Sequence, residues 1–342
     1  MDALKEMEHD PWWPDARCNA WEPEMNLHEL AAFWRALGKR VFEGDDVLWL
    51  GDTFKSVYFT FPFDKPLDIR PRDVRRLLWK QRGLLARVTR EQESGTFNSY
   101  LYICDNREYD FPALAKHRRS VVRKGYKQAE HIGPVDKEII LRDGYALETE
   151  SLERQGRKAN IPSRTEWNTY MRPWLETPDA YCWGAVHDGK LVAYMLVVNI
   201  RDDAEIHNHR SGGVAMKTGI NNAMVFELVR RTVIEQGMRR LSYGLASIRD
   251  IATLDWFKES MGFRRVPIRQ EFIPHPLLRP FLARPLLRLT GGLIQRLTDN
   301  DDARKVAATL ALMAGDEVDT TTDDDAQDES TKASDSREPA KV

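Results

Sequence analysis

The sequence predicts an α/β protein with a twisted mixed sheet and helices on both faces of that sheet. Segments with the helical spacing of apolar residues alternate with short segments rich in β-branched and aromatic residues. The 342 residues are enough for one large domain or two ordinary domains. With 42% hydrophobic and 30% charged residues, the composition is typical of a globular protein.

The first third of the chain already shows this alternation. Residues 1–24 contain several tryptophans and prolines without periodicity, which predicts an irregular arm. Pro71 favours a helix start, and Gly83 favours the end of that helix. Helices are predicted at 27–37 and 71–81, and strands at 47–50, 56–63, 84–89 and 99–104.

The middle of the chain continues the pattern with longer elements. Asp110 is a favourable N-cap, Asp188-Gly189 is a hairpin signal, and Gly237 and Gly262 favour left-handed helix ends. Helices are predicted at 111–130, 145–155, 164–175, 221–236 and 250–261, and strands at 181–186, 191–200, 204–210, 240–244 and 269–273.

The C-terminal part differs in composition. Residues 276–315 predict a basic amphipathic helical segment, within which 277–297 combine leucines with arginines. This stretch could dock on the protein itself or make weak contact with an anionic membrane surface. Residues 316–342 contain ten acidic and three basic side chains and predict a disordered tail.

Composition and motifs exclude several functions. The net charge of −2 and the acidic tail leave the remaining chain mildly basic, which suits an anionic small molecule and not duplex DNA. Three widely separated cysteines predict neither a disulfide framework nor a structural metal site. Without a signal peptide or an apolar span, the expected location is the cytoplasm. Nucleophile-elbow, Walker, HExxH and dinucleotide motifs are absent.

Three stretches between residues 107 and 264 carry a family resemblance. They read REYDFPALAKHRRSVVRKGYKQAE, YCWGAVHDGKLVAYMLVV and INNAMVFELVRRTVIEQGMRRLSYGLAS followed by LDWFKESMGFRR. Together they resemble the GNAT-like acyltransferase domain of FemAB-type proteins. The resemblance implies a tandem GNAT-like fold, with a degenerate first half at 25–109 and a complete acyltransferase domain at 110–275. It also implies acyl-CoA as donor, or aminoacyl-tRNA in some members, and no metal.

A cationic helix face is the first candidate site. Lys116, Arg119, Arg123 and Lys127 recur at spacings of three or four residues and therefore share one face. Such a face can hold phosphates through charge-assisted hydrogen bonds. Arg119, Arg123 and Lys127 are thus substrate-binding candidates, and a solvated basic surface is the alternative.

The segment before the 221–236 helix is a candidate donor site. Glycines allow close approach of backbone amides, and a helix N-terminus favours an anion. Its spacing departs from the usual GNAT pyrophosphate loop, and an ordinary connection is the alternative. The cofactor-binding candidates are Ser211, Gly212, Gly213, Lys217, Gly219 and Asn221.

Glu205, His207 and His209 recur at period two in the strand 204–210. Strand residues two apart point to the same face, so these three side chains are expected on one side of the sheet. Glu205 and His209 are candidates for a base that deprotonates an acceptor amine, and His207 for substrate binding. A polar strand face and a metal site are the alternatives to this interpretation.

The last candidates follow from the resemblance. It implies that Tyr243, at a strand end, is the general acid for the leaving thiolate, and that Lys258 corresponds to the lysine of the family's FK..lGF ending. Lys258 could stabilise a developing oxyanion. Ser247 is a candidate ligand contact.

These observations predict an N-acyltransferase. It would transfer an acyl group from acyl-CoA to an amine of a small molecule or amino sugar by direct attack on the thioester. The alternatives are an aminoacyl-tRNA-dependent transferase, in which the basic helix binds tRNA, and a catalytically inactive GNAT-like binding module.

Overall fold

The computed structural model describes residues 25–44, 47–51, 56–91, 97–246 and 252–281. Packing divides the chain into two compact units. The first unit contains the described residues up to Lys65 together with Leu101–Leu245 and Lys258–Val266. The second contains Pro66–Tyr100, Ala246–Phe257 and the described residues from Pro267 onwards. The domain boundaries at 24, 109, 275 and 315 stay predictions. The arm at 1–24, Ser247 and the tail at 316–342 lie outside the described residues.

Eight α-helices and eleven strands occur in the described residues. The helices are α1 Leu27–Ala36, α2 Pro71–Gln81, α3 Lys116–Gln128, α4 Lys137–Arg154, α5 Arg164–Glu176, α6 Gly213–Thr218, α7 Ile220–Val229 and α8 Ala252–Ser260. The strands are β1 Val41–Glu43, β2 Leu48–Gly51, β3 Val57–Phe61, β4 Leu85–Arg90, β5 Ser99–Cys104, β6 His131–Pro134, β7 Ala180–His187, β8 Lys190–Ile200, β9 Asp203–Ser211, β10 Arg240–Leu245 and β11 Arg264–Pro274.

The first unit contains a mixed sheet, as predicted. Strands β5, β10, β9, β8, β7 and β6 lie side by side in that order. The β9–β10 pair is parallel and the other pairs are antiparallel. Strands β1, β2 and β3 form an antiparallel meander in the same unit. In the second unit, β4 pairs with β11 in antiparallel register.

Helices cover both faces of the β8 region, which confirms the predicted layering. On one face, Tyr194, Leu196 and Val198 of β8 belong to an apolar core with residues of α1, α4 and α5. The largest side chains of this core are Trp34 of α1 and the two tryptophans of α5, Trp167 and Trp174. On the other face, the Trp183 indole donates to the Met224 carbonyl of α7 at 3.2 Å.

A close backbone contact joins α3 to α7. A Cβ on Gly125 of α3 would lie 2.3 Å from the carbonyl oxygen of Gly219, the residue before α7. Gly219 itself has φ +83°, in the left-handed region that favours glycine. Two glycines therefore let α3 pack directly on the start of α7.

Several predicted boundaries are wrong. The helix predicted at 111–130 is a single 3-10 turn at Phe111–Ala113, then an extended Leu114, then α3. The helix predicted at 145–155 begins eight residues earlier, because Gly144 faces the Trp167 ring and does not end α4. The loop predicted at 211–219 contains α6. The helix predicted at 221–236 changes to a π-helical turn at Arg230–Glu235.

Candidate active site at the separation of two parallel strands

Strands β9 and β10 separate part of the way along their length. Their parallel pairing covers Asp203–Glu205 against Arg240–Ser242 and ends with the Glu205–Ser242 pair. β9 continues to Ser211, whereas β10 turns at Gly244, which has φ +73°. The edge of β9 beyond Glu205 is therefore not paired with β10. The candidate catalytic side chains of the two strands, Glu205, His209 and Tyr243, lie next to this opening.

A β-bulge in β9 changes the direction of its side chains. Against β8, Glu205 lies opposite Val198 and His209 lies opposite Met195, and one extra residue of β9 is accommodated between them. Val198 and Met195 are three residues apart and point to opposite faces. Glu205 and His209 therefore lie on opposite faces of the sheet, and the prediction that the three side chains share one face is wrong.

His209 is the centre of a hydrogen-bond network on the α7 side. Its Nε2 lies 2.7 Å from Oδ1 of Asn221 and 3.0 Å from Oγ of Ser211. Because the Asn221 oxygen can only accept, Nε2 carries the proton and Nδ1 accepts from the Tyr243 hydroxyl. Burial lowers the pKa of His209 to about 4, so the ring is neutral at pH 7.

Tyr243 and Lys258 lie together on this side. Burial raises the pKa of Tyr243 well above its usual value, which keeps the phenol protonated. Lys258 is only 3% exposed, and its Nζ lies 4.3 Å from the ring centre of Tyr102 and 5.1 Å from that of Tyr243. Two aromatic faces thus hold the ammonium group next to the tyrosine.

Glu205 lies on the other face of the sheet, at the last pair before the two strands separate. The side chain is 8% exposed. Burial raises the pKa of its carboxyl to about 8, and the charges of Asp64 and Asp203 add to this rise while Arg240 opposes it. Arg240 is itself bound to both aspartates. A carboxyl with this pKa can accept a proton near neutral pH.

His207, on the same side as Glu205, lies between two indole rings. Its ring is 5.4 Å from that of Trp174 in a stacked arrangement and 4.8 Å from that of Trp34 at a steep angle. The residue is nevertheless exposed. The surrounding protein lowers the pKa of His207 to about 4, with Lys39 and Arg210 adding to the effect. His207 therefore presents an exposed side chain whose ring packs against two buried indoles.

The residues predicted to hold a donor pyrophosphate are only partly brought together. Ser211 and Asn221 contact His209, as described, and Gly219 packs against α3. The Gly213 amide donates to the Glu150 carboxylate at 2.7 Å, and the Gly212 amide to the Val192 carbonyl at 2.9 Å. Lys217 is exposed, and its carbonyl accepts from Lys124. The carboxylate at Gly213 makes this point unfavourable for an anion.

The predicted cationic face of α3 is present. Arg123 and Lys127 are exposed, and Arg123 lies 4.7 Å from the ring centre of Phe111. Arg119 is partly buried and donates to the carbonyls of Leu114 and Pro112, so it completes the turn before α3.

Sequence reasoning missed two arginines with structural partners in this region. Arg118 of α3 donates to Ser260 at 2.8 Å and to Asn222 of α7 at 3.0 Å. Arg210 of β9 makes a bidentate ion pair with buried Glu148 of α4, with both distances 2.8 Å. Its position between two candidate residues, His209 and Ser211, could have drawn attention to Arg210. Its pairing with Glu148, 62 residues away, could not be predicted from the sequence.

No group of three or more His, Cys, Asp or Glu side chains in the described ranges is arranged to hold a metal ion. In the same part of the chain, no helix has both the length and the apolar character needed to cross a bilayer.

Comparison with known proteins identifies the fold. No family model and no curated protein sequence matches the chain. Among solved structures, FemX superposes with a TM-score of 0.54 at 11% identity, over 73% of this chain and 92% of FemX. L-PGS from Bacillus licheniformis gives 0.49 at 17% identity, over 80% and 98% of the two chains. A GCN5-related N-acetyltransferase from Kribbella flavida gives 0.40 at 12%, over 72% and 95%. The chain has a GNAT-like, FemAB-related fold.

Proposed function

We propose that the protein is an acyltransferase that moves an acyl group from an activated thioester, acyl-CoA, to an amine. The observation that carries the proposal is the opening between β9 and β10, with Glu205 on one face of the sheet and the His209–Tyr243 pair on the other. In this proposal Glu205 is the base and Tyr243 is the acid, on opposite sides of a gap in which a thioester carbonyl would lie.

The acceptor side would be the face that carries Glu205 and His207. An amine arrives mainly as its ammonium form at neutral pH and must lose a proton before it can attack. The Glu205 carboxylate, with a pKa of about 8, is matched to this proton transfer. The exposed side chain of His207, which is held in place by the buried rings of Trp34 and Trp174, would contact the acceptor.

The donor side would be the face that carries Tyr243. The amine nitrogen bonds to the thioester carbon, the carbon–sulfur bond breaks, and the Tyr243 hydroxyl donates a proton to the thiolate. The ammonium nitrogen loses two protons over the whole reaction. One of them restores the Tyr243 hydroxyl, and the other passes to solvent. Lys258, next to Tyr243, supplies positive charge on the side where the sulfur becomes negative.

The residues present fit the reacting end of acyl-CoA better than its pyrophosphate. Glu150 holds the Gly213 amide, and Gly219 is packed on α3, so neither is available as in a typical pyrophosphate loop. The exposed side chains of Lys217 and Lys124 are cations that would hold the phosphates instead.

A second donor, aminoacyl-tRNA, is favoured by one observation. The exposed cations of α3, including Arg123 and Lys127, form a surface large enough for several phosphates of a nucleic acid backbone. Binding through such contacts weakens steeply as salt concentration rises. In this case the ester of the aminoacyl group replaces the thioester and the same base serves the acceptor.

The deciding experiment measures thermal stability of the purified chain with acetyl-CoA, longer acyl-CoAs and free coenzyme A. A ligand at a hundred times its Kd adds about 2.7 kcal/mol, which raises Tm by roughly 2–4 °C for a protein of this size. Acyl-CoA that raises Tm and is consumed with an amine, releasing thiol, supports the proposal. An unchanged Tm with every coenzyme A species contradicts the acyl-CoA donor. Salt-dependent tRNA binding would then assign the donor to aminoacyl-tRNA.

A further inference from the structure

An exposed apolar surface lies in the second compact unit, separate in sequence from the proposed active site. Three large side chains are exposed there: Trp79 by 60%, Leu84 by 49% and Leu277 by 65%. An indole and two leucines left in water at this level are unfavourable unless a partner covers them.

Contacts with His275 bring these three residues together. The Trp79 ring stacks on the His275 ring with centroids 5.0 Å apart and planes 16° apart. The His275 amide donates to the Leu84 carbonyl at 2.8 Å, and the Leu277 amide donates to His275 Nδ1 at 3.2 Å. His275 therefore connects all three residues, which we call the Trp79 surface.

The Trp79 surface is bordered by positive charge. The helix that carries Trp79 and its flanking residues contain six cationic side chains, namely Arg70, Arg72, Arg75, Arg76, Lys80 and Arg82. Asp73 is the single acid in this helix, and it lies within 4 Å of Arg70, Arg72 and Arg76. Arg72 and Arg76 precede Trp79 by seven and three residues and so share its helix face.

We propose that the Trp79 surface docks on an anionic membrane. A bilayer interface accepts all three kinds of group found here: leucine side chains at the acyl-chain boundary, indole at the headgroup level and arginine beside lipid phosphates. A nucleic acid would use the arginines and the indole but gains nothing from exposed leucines, since its aromatic contacts are stacking contacts.

The continuation of the chain supports the same partner. The described chain ends at Phe281, four residues after Leu277, and the sequence that follows reads LARPLLRLTGGLIQRL. This stretch repeats the combination of leucine and arginine without adding an acid. A second stretch of a composition suited to an anionic interface thus follows the Trp79 surface in the sequence.

Co-sedimentation of the full chain with lipid vesicles tests the proposal. We expect binding to vesicles containing phosphatidylglycerol and little binding to vesicles of phosphatidylcholine alone. The double variant Arg72→Glu/Arg76→Glu should bind the anionic vesicles at least 25-fold more weakly, because each cation near such a surface contributes about fivefold in affinity. Trp79→Ser should weaken binding about tenfold or more without abolishing its dependence on phosphatidylglycerol.

Matched variants separate this surface from general effects of charge and hydrophobicity. Trp256→Ser removes another exposed tryptophan, and Lys124→Glu/Lys127→Glu reverses two exposed cations of α3. Both should bind vesicles like the unmodified chain, and all variants should keep the same Tm. Equal losses in the control variants, or no anionic vesicle binding by the unmodified chain, would overturn the proposal. So would a Trp79→Ser variant that binds vesicles normally but loses binding to single-stranded RNA.

Discussion

His209 accepts a hydrogen bond from the Tyr243 hydroxyl on its Nδ1, across the point where the parallel strands β9 and β10 have separated. The proton on Nε2 is directed to Asn221, so the imidazole is oriented from both sides. The pair therefore holds one phenolic proton at a defined place in the opening. In the proposed reaction this proton goes to the leaving thiolate.

Replacing Tyr243 with phenylalanine should lower kcat by about 10²–10⁴ with little change in KM, since proton donation is a transition-state contribution. The rate is measured as release of coenzyme A thiol. His209→Gln keeps a hydrogen-bonding side chain beside Tyr243 and should cost less. A Tyr243→Phe variant with unchanged kcat would show that the hydroxyl has no role in the chemistry.

The pKa of Glu205 predicts how activity depends on pH. With a carboxyl pKa of about 8, the fraction of base increases as pH rises, so kcat/KM should increase up to about pH 8 and then level off. Glu205→Gln should reduce kcat/KM by about 10²–10⁴ and remove this limb of the profile. An unchanged limb in the glutamine variant would assign it to another group.

The raised pKa of Glu205 also predicts how the stability of the fold changes with pH. Its folded-state pKa of about 8 exceeds the usual 4.5, so the folded state holds this proton more tightly than the unfolded state. The resulting stabilisation is complete below about pH 4.5 and is lost as pH rises through about 8. Tm of Glu205→Gln, measured from pH 6 to 9, should therefore fall less than Tm of the unmodified chain.

The order of helices and strands could be predicted from local patterns, but the arrangement of the site could not. The helix at Pro71–Gln81 and the strand at Ser99–Cys104 match the predicted bounds, since a proline start and a short run of aromatic and aliphatic residues are local signals. The bulge in β9 is set by its pairing with β8, and this placed Glu205 and His209 on opposite faces. A periodicity argument assumes a regular strand and cannot detect an inserted residue.

Contacts between side chains far apart in the sequence could not be predicted for a similar reason. His209 and Tyr243 were both identified as candidates, but their contact depends on the parallel pairing of strands 34 residues apart. Lys258 is a candidate through the family resemblance, but its burial against the rings of Tyr102 and Tyr243 is not encoded in the local sequence. The apolar environment of a cation depends on which aromatic faces the fold brings to it.

The Arg210–Glu148 ion pair should be strongly coupled. Both side chains are largely buried, and the Tyr194 hydroxyl also donates to Glu148 at 2.7 Å. Arg210→Met leaves a buried carboxylate without its cation and should lower the free energy of unfolding by about 3–5 kcal/mol in urea titrations. Glu148→Gln combined with Arg210→Met removes the unpaired charge and should recover much of this loss. Equal stability of the single and double variants would contradict the coupling.

The contact between α3 and α7 gives a prediction about packing. A Cβ on Gly125 would lie 2.3 Å from the Gly219 carbonyl oxygen and 2.8 Å from Cβ of Ala223, so Gly125→Ala cannot be accommodated without moving one helix. We expect a loss of about 1–3 kcal/mol or more in the free energy of unfolding. Because α7 carries Asn221, the displacement should also loosen the His209 network and lower kcat.

Gly213→Ala is the matched control for this change. Gly213 begins α6, and the nearest atom to an added Cβ is Glu150 Oε1 at 3.5 Å, an ordinary contact. The alanine should be neutral or slightly stabilising, because it reduces the freedom of the unfolded chain. Urea titration of both variants measures the difference directly. If Gly125→Ala were as stable as Gly213→Ala, α3 could shift away from α7 at little cost, and α3 would not be what fixes the position of Asn221 beside His209.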